Sequence, residues 1–246
     1  DALTLSKLHQ AKLQSIDLFD LLGETVEGAI ITALEKSKDS EAKNMIQEIV
    51  RELTFETIKE GTLNTIRVRK ILSTILHSSI GVAEVSPNMS EDILEATLKG
   101  MRAGLLESID RFKKRLAFMP LEAKHILIED YDTIMEDLNQ TDTLFLQVVQ
   151  TQANESEPTI AKILLELNKK MRYDLEELIH ISKETAVVMK ERFSTLAKTA
   201  VKKADTALKS ETAKEAKRMG IQAWGIAKTA LGTAIKSAKS KMEPKE

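Results

Sequence analysis

The residues best suited to chemistry are two Glu-x-x-His pairs, Glu122-Ala-Lys-His125 and Glu177-Leu-Ile-His180. On two helices of a bundle, with two further Glu from other helices, such pairs make the carboxylate-bridged di-metal centre of a ferritin-like oxidoreductase. The helical wheel tests that reading. At about 100° per residue, Tyr131, Ile134 and Leu138 lie within about 40° of Leu127, while His125 and Glu122 fall near 160° and 220° from it. On the later helix Leu167, Met171, Leu178, Thr185 and Met189 cluster likewise, and His180 and Glu177 fall near 220° and 280° from Leu167, all at about 100° per residue. Both pairs point away from the interior, where the site would have to be. They read as surface residues, and neither a metal nor any other cofactor is expected.

His9 and His77 have no partner pattern; His77, following Ile75 and Leu76, reads as a hydrogen-bonded, half-buried side chain. No phosphate-cradling glycine loop and no nucleophile elbow is present, so the chain reads as non-enzymatic. The absence of Cys excludes disulfides and thiolate metal sites and fits a reducing compartment, so a cytoplasmic location is expected.

The elements that carry these residues are helical. Four Pro and nine Gly punctuate 246 residues otherwise rich in Ala, Leu, Ile, Lys and Glu. Apolar spacings of three and four predict helices over residues 3–38, weakest near Gly23, then 41–60, 65–81 capped by Asn64, 90–119, 121–152 with Pro120 in its first turn, and a long helix from 159 past Phe193. The apolar positions of the second are Met45, Ile49, Leu53, Phe55 and Ile58. The third must bury Ile66, Ile71, Leu72, Ile75 and Leu76; the fourth, Ile93, Leu94, Leu98, Met101, Leu105, Ile109 and Leu116. Gly61 is a helix stop, and loops are expected over 82–90 and 154–158. The expected fold is all-α, an elongated bundle of six or seven helices with a long amphipathic C-terminal helix. No apolar run reaches the length of a spanning helix, and no signal-peptide pattern opens the sequence.

Two segments echo each other at a separation of 43, placing Glu52 and Gly61 of the second helix against Glu95 and Gly104 of the fourth. Duplication of a helical hairpin and chance recurrence in helical sequence both account for this. The motif Arg51-Glu-Leu-Thr-Phe-Glu-Thr-Ile-Lys-Glu-Gly61-Thr-Leu63, with the acidic helix at 121–142 and the long helix after Pro158, resembles an uncharacterised all-helical family of bacterial proteins over residues 41–195. That resemblance implies a helical fold and a bacterial source, and it transfers no functional residue.

Charge divides the chain into an acidic helical bundle, 1–182, and a basic Ala- and Lys-rich extension, 183–246. From Lys183 onward there are 15 Lys and Arg against 7 Asp and Glu; the preceding residues hold 21 against 31. In the extension Ala186, Ala197, Leu208, Met219 and Ala230 recur every 11 residues, as do Lys217, Lys228 and Lys239, which keeps the apolar and basic stripes in register. Met219, Ile221, Trp224, Ile226, Leu231 and Ile235 line the apolar side of the last stretch, with Lys228, Lys236, Lys239 and Lys241 as its cations. Trp224, the single tryptophan, stands toward the edge of that arc. Half-apolar, lysine-rimmed and low in net hydrophobicity, this is the pattern of an interfacial helix.

The expected function is therefore a structural or adaptor protein that binds a membrane, lipid or hydrophobic granule surface through its C-terminal helix. An alternative is an assembly module whose basic tail docks on a partner protein, on a second copy in a homo-oligomer, or on its own acidic bundle. The acidic face with Glu122, Glu129, Asp132 and Glu136 is either solvated or the seat for such a tail. Nucleic acid is not the expected partner, because Lys198, Lys202, Lys203, Lys209, Lys214 and Lys217 lack interleaved aromatics for stacking.

Overall fold

The computed structural model describes residues 18–59, 63–118 and 131–207. The protein is all-α, and its helices pack as a bundle. Among the described residues there are eight helices and no strand: α1 Leu18–Lys36, α2 Asp39–Lys59, α3 Thr65–Val85, α4 Ser90–Phe118, α5 Tyr131–Asn139, α6 Thr141–Glu155, α7 Pro158–Asp174 and α8 Glu176–Ala207.

Two interruptions raise the number above the expected six or seven. One lies at Gln140, with φ −119° and ψ 16°, and divides the expected 121–152 helix into α5 and α6. The other lies at Leu175, with φ −87° and ψ −2°, and divides the helix after Pro158 into α7 and α8. Neither carries Pro or Gly, so no local breaker announces them. Gly23 and Gly28 lie inside α1 without ending it. Likewise α3 continues through Gly81 to Val85, which shortens the expected 82–90 loop to residues 86–89. That turn is closed by the Ser90 hydroxyl, which donates to the Ala83 carbonyl at 2.7 Å. Gly61 lies outside the described residues.

Asn64 caps α3 as expected, its Oδ1 accepting from the Ile66 and Arg67 N–H groups at 2.9 and 3.2 Å. Pro158 occupies the first turn of α7, where its missing N–H costs nothing.

The described residues fall into two compact units, one holding those up to Phe112 with Glu136–Lys183, the other Lys113–Met135 with those from Glu184 onward. In the first unit α3 is central: it packs against α1, α2, α6 and α7. It accordingly buries a wide stripe that includes Val68, Ile71, Leu72, Ile75, Leu76, Ser79 and Ala83.

Two expectations on α3 fail for one reason. Ile66 is 78% exposed, and His77 is exposed rather than half-buried. At about 100° per residue both fall roughly 140° to 160° from the middle of that stripe, which puts them on the far side of the helix. On α4 all seven expected residues are buried. On α2 the buried face consists of Ala42, Ile46, Val50, Leu53, Thr54, Thr57 and Ile58, while Met45, Ile49 and Phe55 are half-buried at its margins.

Candidate functional site

The residues expected to bind a surface or partner, Met219, Ile221, Trp224, Ile226, Lys228, Leu231, Ile235, Lys236, Lys239 and Lys241, lie outside the described residues, as do Glu122 and His125. The other Glu-x-x-His pair is described. Glu177 and His180 are both exposed on α8, as the wheel places them, while Leu178 between them is fully buried. Glu177 stands 3.8 Å from the Arg102 guanidinium. Among the described residues no group of three His, Asp or Glu is placed to hold a metal ion. Asp132 and Glu136 of the acidic face are exposed.

The body is knit by close crossings and by charged side chains seated on helix ends. Gly100 and Gly104 bring α4 backbone against α2. A methyl group added at Gly100 would meet the Gln47 carbonyl oxygen at 2.5 Å, and one at Gly104 would meet the Arg51 carbonyl oxygen at 2.6 Å. Glycine is required there by the approach of two backbones, with no demand on its own torsion angles. Along the same crossing Lys43 pairs with Glu95 and, at 3.2 Å, with Asp92, and Lys99 reaches Glu95 at 2.9 Å. The hydrogen bond from Lys43, then that from Lys99, hold the Glu95 carboxyl down at about 2, and Glu95 in turn raises the Lys43 ammonium. Arg51 spans Glu48 and Glu107; its hydrogen bond lowers the Glu48 carboxyl, and the two acids raise the guanidinium.

Buried hydroxyls turn inward on their own helices. Thr57, Ser79, Thr97 and Ser108 each donate to the carbonyl four residues earlier, at 2.6 to 2.9 Å. Ser182 of α8 instead donates to the Thr141 hydroxyl of α6 at 3.2 Å, and Thr54, fully buried over Gly104, has no hydrogen-bond partner for its hydroxyl.

Three arginines sit on the last carbonyls of another helix, where the backbone dipole is negative and acceptors are left over. Arg67 of α3 donates to Thr57 and Ile58 of α2, the latter at 3.0 Å. Arg102 of α4 donates to Asp174, the last residue of α7, at 3.1 Å. In the second unit Arg192 of α8 donates to Ala117 of α4, Lys113 pairs with Glu184 at 3.0 Å, and the rings of Tyr131 and Phe193 stack at 4.2 Å. The opposite charge serves the opposite end. The Asp137 carboxylate accepts from the Thr65 N–H at 3.0 Å, in the first turn of α3.

Beside Asp137 lies a cavity of about 20 Å³ lined by residues that include Asn64, Val68, Leu105, Ile109 and Thr141, room for about one water and no substrate. None of the long-range roles of Arg67, Arg102, Arg192 and Asp137 shows in their sequence spacing. Of the four, Arg67 lies near the start of an expected helix, whereas Arg102 and Asp137 fall in the middle of theirs.

Burial along α8 varies with position. Leu178, Thr185 and Met189 are fully buried, whereas Leu196 and Ala197 are half-buried and Val187 is 56% exposed. Among the described residues no helix is long and apolar enough to cross a membrane.

Comparison with known proteins adds a family and no activity. No curated protein and no solved structure matches the chain. Residues 24–175, covering α1 from Glu24 to the end of α7, match a family of unknown function, DUF6781, and the chain belongs to that family.

Proposed function

We propose that the protein is a non-enzymatic helical scaffold or adaptor that binds an anionic lipid surface, of a membrane or a lipid-coated granule, through residues 219–241. The observation that carries this reading is the register of the tail: an 11-residue recurrence of apolar and lysine positions, with Lys228, Lys236, Lys239 and Lys241 and no acid between Met219 and Lys241. A lysine near an anionic surface contributes about 1 kcal/mol, so four supply about 4 kcal/mol, a share that salt would screen. Gly220, Gly225 and Gly232 each cost about 1 kcal/mol of helicity, so the helix would gain its order from the surface it meets.

The test is co-flotation of the full chain with vesicles. Vesicles containing phosphatidylglycerol should carry the protein and purely zwitterionic vesicles should not, with binding weakening as salt rises. Absence from both fractions would refute the lipid reading and leave docking on a protein as the use of this tail.

A further inference from the structure

We infer that the protein pairs with a second copy of itself through the outward face of α3 and α6, as an antiparallel two-fold dimer with His77 on its axis.

The charges of α3 run against its own dipole. A helix favours acids in its first turns and cations in its last, because the backbone dipole is positive at the start and negative at the end. On α3 the order is inverted: Arg67, Arg69 and Lys70 stand near its start and Glu84 near its end. Arg67 is accounted for by the α2 carbonyls on which it sits. Lys70 lies over the Phe19 ring at 4.2 Å, and Arg69 donates to Gln147 at 3.0 Å, so neither meets a carboxylate. Among the described residues Glu84 has no ion pair either.

Between these charges the surface is neutral. No Asp, Glu, Lys or Arg occurs from Ile71 to Ala83 on α3 or from Thr143 to Asn154 on α6, in a chain of which 30% is charged. The two helices pack side by side, and α6 turns Thr143, Gln147, Gln150 and Asn154 to solvent. On α3, at about 100° per residue, Ile66, Lys70, Ser73, His77, Gly81 and Glu84 share an arc of about 80°. All six are exposed except Ser73, which is half-buried. A centre depleted in charge and bordered by it is what distinguishes an interface from ordinary surface.

The inverted charges select the occupant. An isologous contact must be complementary to itself. A two-fold through His77 sets residues equally far along α3 opposite one another. Lys70, seven residues before His77, then meets Glu84 of the second copy, seven after, and Ser73 meets Gly81 of the second copy, four on either side. Ile66, 78% exposed, comes beside the exposed Pro87 and Asn88 of the second copy. On the other flank of α3, α1 carries the exposed acids Asp20, Glu24 and Glu27. Like charges would meet there, so the contact closes over α6 instead. A face of about 25 Å by 20 Å buries about 1,000 Å² over both copies, the lower size of a specific interface.

Sedimentation equilibrium of the full chain should show a monomer–dimer equilibrium. Lys70→Glu alone and Glu84→Lys alone each set like charges together twice per dimer and should weaken it about tenfold. The double variant restores opposite charges and should return to within about threefold of wild type. Both sites are exposed, and unchanged far-ultraviolet circular dichroism would show that the fold is kept. In the cysteine-free chain, His77→Cys with a short bis-maleimide should give a cross-linked dimer, whereas Lys169→Cys, exposed on α7, should not. A chain that stays monomeric at every concentration, a dimer indifferent to both single reversals, or a double variant as weak as the singles would each overturn the pairing.

Discussion

Two helical stretches of this chain use small residues and reach opposite results. On α4, Ala96, Gly100, Gly104 and Ser108 recur every four residues, all are buried, and the glycines lie against the backbone of α2. On α8, Ala186 is buried while Ala197, one 11-residue repeat later, is half-buried beside Leu196. A row of small residues becomes a closed crossing only where another backbone arrives with complementary shape and charge. Lys43, Arg51 and their acids supply that charge on the α2–α4 side. Toward the C-terminal end of α8, Leu196 and Ala197 are only half-buried.

The strongest way to break this contrast is Gly104→Leu. A Cβ alone would meet the Arg51 carbonyl and Thr54 Cβ at 2.6 and 2.7 Å, and the remaining side chain has no space. Urea denaturation should show a loss of about 3 kcal/mol. Next is Arg67→Met, which keeps the apolar stem and removes the donors seated on the Thr57 and Ile58 carbonyls. The expected loss is about 2 kcal/mol by the same measurement.

Charge at the crossing gives a smaller, pH-dependent effect. Glu95 is held at about 2 against an ordinary value of 4.5. Its folded value is depressed, so its contribution is complete above the ordinary value and is lost as pH falls from there toward 2. Because the Lys43 and Glu95 side chains keep 27% and 28% of their surface in solvent, the effect is about 1 kcal/mol. Unfolding titrations of wild type and Glu95→Gln should differ at pH 7 and converge near pH 2; equal pH dependence would show the pair to be inert. The smallest effect has the opposite sign. Gly81 has no side-chain neighbour within 4 Å, so Gly81→Ala in α3 should stabilise by about 0.5 kcal/mol.

These cases also show what could be read before the fold was known. The seven buried residues of α4 follow helical period over an uninterrupted stretch, so their burial was legible. On α2 the apolar spacing alone does not give the buried face, because ranking by hydrophobicity favours Met45 and Phe55 over the buried Ala42, Thr54 and Thr57. Thr54 is set there by Gly104 of α4, fifty residues away, whose Cβ position lies 2.7 Å from the Thr54 Cβ. Ile66 was misassigned by counting apolar residues instead of placing them by angle. The breaks at Gln140 and Leu175 carry no Pro or Gly, and the arginines on helix ends are tertiary contacts, so neither left a local pattern. The 11-residue recurrence of the tail is a local pattern, and most of it lies outside the described residues.

Reversing charge in the tail alone tests the proposal that the bundle is a scaffold and residues 219–241 its binding device. A variant with Lys228→Glu, Lys236→Glu, Lys239→Glu and Lys241→Glu should keep the wild-type urea midpoint and lose co-flotation with phosphatidylglycerol vesicles by about a hundredfold or more. Undiminished flotation of that variant would contradict the claim.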